Sequence, residues 1–260
     1  MTDQPTDAMS RHRDVFDSHF HVIDARFPLI PNDGYLPDQF AVGDYLAAVD
    51  GLSITGGAIV SGSFQGFDQT YLLDALEQLG AGFVGVTQVP ATIDDSELRR
   101  LGERGVRAVR FNLFRGGSEG RENLLDLGRR AWDVAGMHVE LYVDTVDLRE
   151  LEQDIAALPR VSIDHLGMSS GDWDCLLRLV ERGVRVKATG FGRVAHDVES
   201  ALHDIHAADP AALMFGTDLP GTRSPRPFGP EDIDVIESVL GVDALPAVLH
   251  DNAAEFYRIS

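Results

Sequence analysis

The stretch Val15–Val22, VFDSHFHV, sets Asp17, His19 and His21 at every second residue. On an extended chain such residues share one face, with ~6.6 Å of rise between the two imidazoles. That is close enough for both rings to converge on one metal ion or one substrate atom. Phe16, Phe20 and Val22 then take the opposite face, which suits packing against helices. Similar alternation recurs downstream. In VRAVRFNL, Val106, Ala108, Arg110 and Asn112 share a face, with Val109 and Phe111 behind. In HVELYV, Glu140, Tyr142 and Asp144 do the same. His165 ends VSIDHLG in phase with Val161 and Ile163, and Asp218 follows Gly216 and Met214 in LMFGTDLP. The phase of Lys187 in VRVKATG is ambiguous. Imidazoles and a carboxylate gathered together could transfer protons and stabilise an oxyanion. A guanidinium turned inward must meet a carboxylate, from the protein or from a ligand.

The elements that carry these residues form a repeating pattern. Eight short apolar runs begin at Val15, Ile54, Phe83, Val106, His138, Val161, Val184 and Leu213. Helix-like segments lie between them. DQTYLLDALEQLG ends at Gly80, LRELEQDIAALP at Pro159 and DWDCLLRLVERG at Gly183, each a helix stop. DNAAEFYRI reads as a closing helix. Strand starts every ~23 to 40 residues are the mark of βα units. Eight of them predict one α/β domain, a (β/α)8 TIM barrel over residues 14–260, with a doubly wound open sheet as the runner-up. The polar start, residues 1–13, is expected to be a flexible tail. ARFPLIPNDGYLP is expected to form a long first loop over one end of the barrel.

Active sites of such barrels lie at the C-terminal ends of the strands. His19, His21, Arg110, Tyr142, His165 and Asp218 all fall there. Each alone has a plainer reading: a satisfied core histidine, a turn residue, a structural ion pair. Six agreeing on one rim favour a catalytic site. GAGFVG, Gly80–Gly85, matches a dinucleotide-loop spacing but follows a helix and leads into a strand, the reverse of what that loop requires.

The chain has 260 residues, 44% hydrophobic and 25% charged, with a formal net charge of −20. That charge opposes binding to nucleic acid and to anionic membranes. One cysteine, Cys175, excludes an internal disulfide and points to a reducing, cytoplasmic setting. There is no apolar signal region and no run approaching the ~20 residues of a membrane helix. A small anionic organic acid is the expected partner. A site for it needs local arginines to overcome the overall field. The oligomeric state stays open.

DSHFHV, IDHLG and FGTDLP resemble the amidohydrolase superfamily. With VRAVRFNL, GSFQGFDQTYLLDAL, KATGFGRV and DNAAEFY, the resemblance narrows to the amidohydrolase-2 group, which includes lactonases of pyrone dicarboxylates. It runs from about Val15 to Tyr257. Metal-dependent relatives hold a divalent ion with two strand-one histidines, histidines on strands five and six and the strand-eight aspartate. The resemblance therefore implies His19, His21, His165 and Asp218 as ligands if a metal is bound. Tyr142 stands where the strand-five histidine belongs, and His138 lies at the wrong end of that strand. The lactonase type, which also has a tyrosine there, works without a metal. The cofactor expectation is thus none, or a weakly held divalent ion, Zn2+ first.

The same resemblance implies that Arg110, Arg115, Arg193 and Ser61 or Ser63 hold a substrate carboxylate. The group's pattern carries an arginine shortly after the strand-six histidine, where this chain has Met168. Arg223 and Arg226 read as solvated loop charges. The expected activity is hydrolysis of a lactone of a small carboxylic acid. Asp218 would be general base, His19, His21 and His165 would polarise the carbonyl, and Tyr142 would add a hydrogen bond. The alternatives are a metal-dependent decarboxylase of an aromatic or unsaturated acid, and a non-catalytic barrel that binds small acids.

Overall fold

The computed structural model describes residues 13–259. The expected tail lies outside them, apart from Arg13, which pairs with Glu237 at 2.8 Å. The eight expected strands are present: β1 (Asp14–Phe20), β2 (Ser53–Val60), β3 (Phe83–Thr87), β4 (Val106–Asn112), β5 (His138–Tyr142), β6 (Val161–Ile163), β7 (Arg185–Ala188) and β8 (Leu213–Phe215). They pair in parallel, in the order β1 to β8. Past the end of β8 the chain closes the ring on β1: the Asp218 N–H donates to the His19 carbonyl at 2.7 Å, and the His21 N–H to the Leu219 carbonyl at 2.8 Å. This is a (β/α)8 barrel.

Helices alternate with the strands: α1 (Val42–Ala48), α2 (Thr70–Leu79), α3 (Asp95–Glu103), α4 (Leu124–Ala135), α5 (Leu148–Ala156), α6 (Trp173–Glu181), α7 (Val198–Ala208), α8 (Glu231–Leu240) and a closing α9 (Asn252–Tyr257). Gly80 ends α2 at φ +86°, where a side chain would be strained. No helix among the described residues is long and apolar enough to cross a membrane.

The core has two parts. An outer layer lies between strands and helices, with Phe20 stacked on Tyr45 of α1 at 3.8 Å. A smaller inner plug fills the lumen floor: Phe16, Ala58, Val60, Val84, Val86, Ala108 and Met214 meet Phe256 and Tyr257 of α9.

Two strand phases depart from strict alternation. Phe16 does not share the outer face with Phe20; it points into the lumen and stacks on Tyr257 at 5.6 Å. The register of β1 against β2 shifts between Val15 and Phe16 and again between Asp17 and Phe20. Such irregularities reset which side a residue faces. Asp17 is thereby turned into the wall, and His19 and His21 return to the lumen. On β6, Val161 and Ile163 lie in the outer layer, so they are not in phase with a lumen-facing His165. Asp164 faces inward instead. His165 follows in a tight turn at φ +51°, which brings its ring in as well.

Candidate active site

Above the apolar floor the lumen carries a charged layer. Lys187 Nζ lies 2.6 Å from Glu140 Oε2, 3.6 Å from Asp164 Oδ1 and 3.3 Å from His19 Nδ1. Arg110 donates from Nη2 to Asp164 Oδ2 and from Nη1 to the Ser61 carbonyl, both at 2.7 Å. Tyr257 donates to Glu140 Oε2 at 3.1 Å from below. All are buried. Burial pushes the Glu140 carboxyl up to about 7 against the pull of Lys187. Burial opposes ionisation of Asp164 too, but the His19 imidazole beside it and the charges of Arg110 and Lys187 hold it well below the usual carboxylate range.

Above this layer sit His19, His21, His165, Tyr142 and Asp218. The His19 ring is 5.1 Å from that of His21 and 4.8 Å from that of His165, which stands edge-on to Tyr142 at 4.9 Å. Asp218 Oδ1 lies 3.6 Å from His21 Nε2 and 3.8 Å from His19 Nε2. Its Oδ2 accepts from Arg193, whose Nη2 also donates to the Thr222 carbonyl at 3.0 Å. Gly216 permits this crowding, since a Cβ there would lie 2.7 Å from the His19 nitrogen and 2.9 Å from its Cβ. Asp17 braces the closure. Its Oδ1 accepts from the Thr217 and His19 N–H groups at 2.8 and 3.2 Å, and its Oδ2 from the Thr217 and Tyr45 hydroxyls at 2.7 and 3.2 Å.

One hydrogen bond fixes the tautomer of a neutral His21 ring. His21 Nδ1 lies 2.7 Å from the Val60 carbonyl, which can only accept, so Nδ1 carries the hydrogen and Nε2 presents a lone pair. His19 Nδ1 lies between two partners, Asp164 Oδ1 at 3.2 Å and Lys187 Nζ at 3.3 Å. His19 Nε2 faces the site and has no hydrogen-bond partner among the described residues. Burial holds His19 well below its ordinary value and takes His165 down to about 3, so both rings are neutral. Burial would raise Asp218, but the charge of Arg193 holds it below the carboxylate range.

A cavity opens over these groups. Of the residues singled out from sequence, His21, Tyr142, His165, Arg110, Arg115, Arg193 and Ser63 line it, while His19 and Asp218 lie behind that lining. Ser61 does not: its hydroxyl faces the outer layer, 2.6 Å from the Tyr71 hydroxyl on α2 and 3.4 Å from that of Thr87. Only its carbonyl serves the site, by anchoring Arg110. Arg223 is a second correction, since it lines the cavity rather than standing in solvent. Arg226 does pair on the loop, with Asp232 at 2.6 Å. Tyr35, Asn112 and Thr222 also line the cavity and were not singled out from sequence. Asp164 and the inward setting of Lys187 were missed as well. Their signal was a charge inside an apolar run, VSIDH and VRVKA, which in a buried strand demands a partner.

A divalent ion has two candidate donor sets, His19–His21–Asp218 and His19–Asp164–His165, each with ligand atoms within 4.8 Å of one another. In the first, His19 Nε2 and Asp218 Oδ1 are buried with no hydrogen-bond partner. The distances fit an ion. A neutral His19 with its hydrogen on Nδ1, toward Asp164, offers Nε2 as a ligand as well. Charge does not require an ion: the carboxylates Glu140, Asp164 and Asp218 are already matched by Arg110, Lys187 and Arg193.

The amidohydrolase family profile matches residues 16–259. A 2-pyrone-4,6-dicarboxylate hydrolase from Comamonas testosteroni is 33% identical over 156 residues, 58% of this chain and 51% of that protein, so the match spans about half that relative's length. A 4-sulfomuconolactone hydrolase from Rhizobium radiobacter is 25% identical over 94% of this chain and 90% of its own. A crystal structure of a putative 2-pyrone-4,6-dicarboxylic acid hydrolase from Pseudomonas putida superposes with a TM-score of 0.80 at 26% identity, covering 95% of this chain and 98% of that one. A probable hydrolase of the same type from Acinetobacter baumannii, with citric acid bound, reaches 0.82 at 24% identity over 94% and 99% of the two chains, a likeness of fold.

Proposed function

This chain belongs to the amidohydrolase family, and from that premise we propose that it is a hydrolase that opens a lactone of a small carboxylic acid. One observation carries the reading. Two acceptors, His21 Nε2 and Asp218 Oδ1, face each other 3.6 Å apart, His21 in the wall of an arginine-lined cavity and Asp218 behind that wall. That gap suits a water molecule that donates one hydrogen to each. Its oxygen lone pairs are then aimed at whatever fills the cavity. Curated relatives named as hydrolases of a pyrone dicarboxylate and of a sulfomuconolactone support a cyclic ester as substrate.

The water oxygen attacks the acyl carbon while Asp218 takes its proton. Arg193 makes Asp218 too weak a base to deprotonate water beforehand, so the transfer accompanies bond formation. The carbonyl oxygen becomes an oxyanion, met by His19, His165 and Tyr142. Neutral donors preset in a buried site need no reorganisation as the charge develops. The ring C–O bond then breaks, and Asp218 returns its proton to the leaving oxygen. Arg193 and Ser63 orient the substrate's acid group, which turns attack into an effectively intramolecular event. Arg110, tied to Asp164 and the Ser61 carbonyl, serves more as a positive wall than as a free anchor.

A bound divalent ion would be held by His19, His21 and Asp218, with His165 nearby, and would polarise the carbonyl and acidify water. The charge balance of the lumen supports a reaction that runs without one. A single cysteine fits a reducing compartment such as the cytoplasm.

The test is hydrolysis of a lactone panel with and without chelator. Asp218→Asn should lower turnover by about 10³-fold or more, in keeping with loss of a general base, and wild-type turnover should survive chelation. Stoichiometric zinc with release of CO2 from an unsaturated acid would replace this reading with a metal-dependent decarboxylase. Ligand binding with no turnover of any substrate would leave a binding barrel.

A further inference from the structure

Four arginines line one cavity in a chain of net charge −20. They divide into two kinds. Arg110 and Arg193 already hold carboxylates, Asp164 and Asp218. Arg115 and Arg223 make no ion pair with any described residue. Each lies instead over an aromatic ring, Arg115 over Phe114 at 5.1 Å and Arg223 over Tyr35 at 4.5 Å. Stacking uses the flat face of a guanidinium and leaves its N–H edge able to grip an anion in two-point fashion.

The two are also hung on one support. Asn32 and Tyr35, in the loop after β1, exchange backbone hydrogen bonds at 3.0 Å. The Asn32 carbonyl accepts from Arg223, and its side-chain Nδ2 donates to the Arg115 carbonyl at 3.3 Å. Arg223 sits at φ +58°, a left-handed setting that the loop after β8 maintains while the guanidinium is held against Tyr35. Met168, buried after β6, contributes no cation. The positive wall therefore comes from the loops after β4, β7 and β8.

We infer that Arg223 is a specificity-determining residue which, with Arg115, forms a clamp for a second acidic group of the ligand, a carboxylate or a sulfonate, apart from the group that Arg193 orients. This rests on the reading of the cavity as an acid-binding site, though not on its chemistry. A ligand with one acid engages one grip. A ligand with two engages both, and the clasp of the β1 and β8 loops gives Arg223 its place.

The probes are benzoate, isophthalate and 3-sulfobenzoate, none of which carries a lactone, titrated calorimetrically into wild type, Arg223→Gln and Arg223→Lys. Wild type should bind one or both of the two-acid probes about tenfold or more above benzoate, as one added charge-assisted grip implies. Whether isophthalate or 3-sulfobenzoate benefits more identifies the acid. Arg223→Gln should reduce the ratio to below about threefold. Arg223→Lys, which keeps the charge but not the stacked fork, should fall between. An unchanged ratio in Arg223→Gln with an unchanged thermal midpoint overturns the proposal, as does a wild type with no preference. If the ratio collapses as expected but no lactone is turned over, the clamp stands and the hydrolase reading falls.

Discussion

Ala108 and Arg110 stand two residues apart on β4 and face the same lumen, yet one belongs to an apolar plug and the other to a buried ion network. The same contrast holds on β5, where His138 meets Phe256 and Tyr257 while Glu140, one step higher, meets Lys187. The floor needs only shape: Phe16, Met214 and Tyr257 fill space around the closing helix. The layer above needs matched charge, because a lone buried ion costs several kcal/mol. The two layers should therefore fail differently when a side chain is removed.

The largest effect is expected in the charged layer. Lys187→Met leaves Glu140 and Asp164 short of a cation and removes a neighbour of His19 Nδ1. Loss of one partner of a buried pair typically costs about 3–5 kcal/mol. Urea unfolding should show that loss, and Lys187→Met with Glu140→Gln should recover part of it. A single variant as stable as wild type would mean that the layer is neutral by protonation rather than by pairing.

Next is the floor. Phe16→Ala opens a cavity beneath the site and should cost about 3 kcal/mol. KM for any lactone turned over should stay near the wild-type value, since no ligand reaches that depth. A large rise in KM would show that the layers are coupled, with the Tyr257 hydroxyl on Glu140 as the link.

That pairing of layers was only half legible in the sequence. Period-two alternation located eight strands and placed His19, His21, Arg110, Glu140 and Tyr142 in the lumen, because those strands are regular where it matters. It failed at Phe16, where β1 shifts register against β2, and at Asp164, because β6 is only three residues long and offers too few positions to set a phase. Local pattern carries no record of a shift that the neighbouring strand imposes. Nor could it find the setting of Arg223, which depends on Asn32 and Tyr35, nearly two hundred residues away in sequence. Ser61 and Ser63 were indistinguishable for a related reason: β2 ends at Val60, and beyond it the turn decides which hydroxyl enters the cavity.

The smallest predicted effect sharpens the contrast by pH. His138 is buried in the floor, and burial, reinforced by Lys187, Arg160 and Arg258, holds it well below 6.5. The folded protein therefore leaves it neutral where the unfolded chain would protonate it. Its sign follows: stability is full above pH 6.5 and falls as the pH drops below that value, by up to ~1.4 kcal/mol per pH unit. His138→Phe suits the aromatic surroundings of Phe256 and Tyr257 and removes that proton. Relative to wild type the variant should gain about 2 kcal/mol between pH 7 and pH 5, read from urea curves at the two pH values. His165, lowered to about 3 by burial, adds a slope of the same sign, but its replacement would also disturb the site. His138 isolates the floor. Parallel wild-type and variant curves from pH 7 to 5 would mean that the floor admits a charged imidazole, and the division into an apolar layer and a charge-matched one would then be lost.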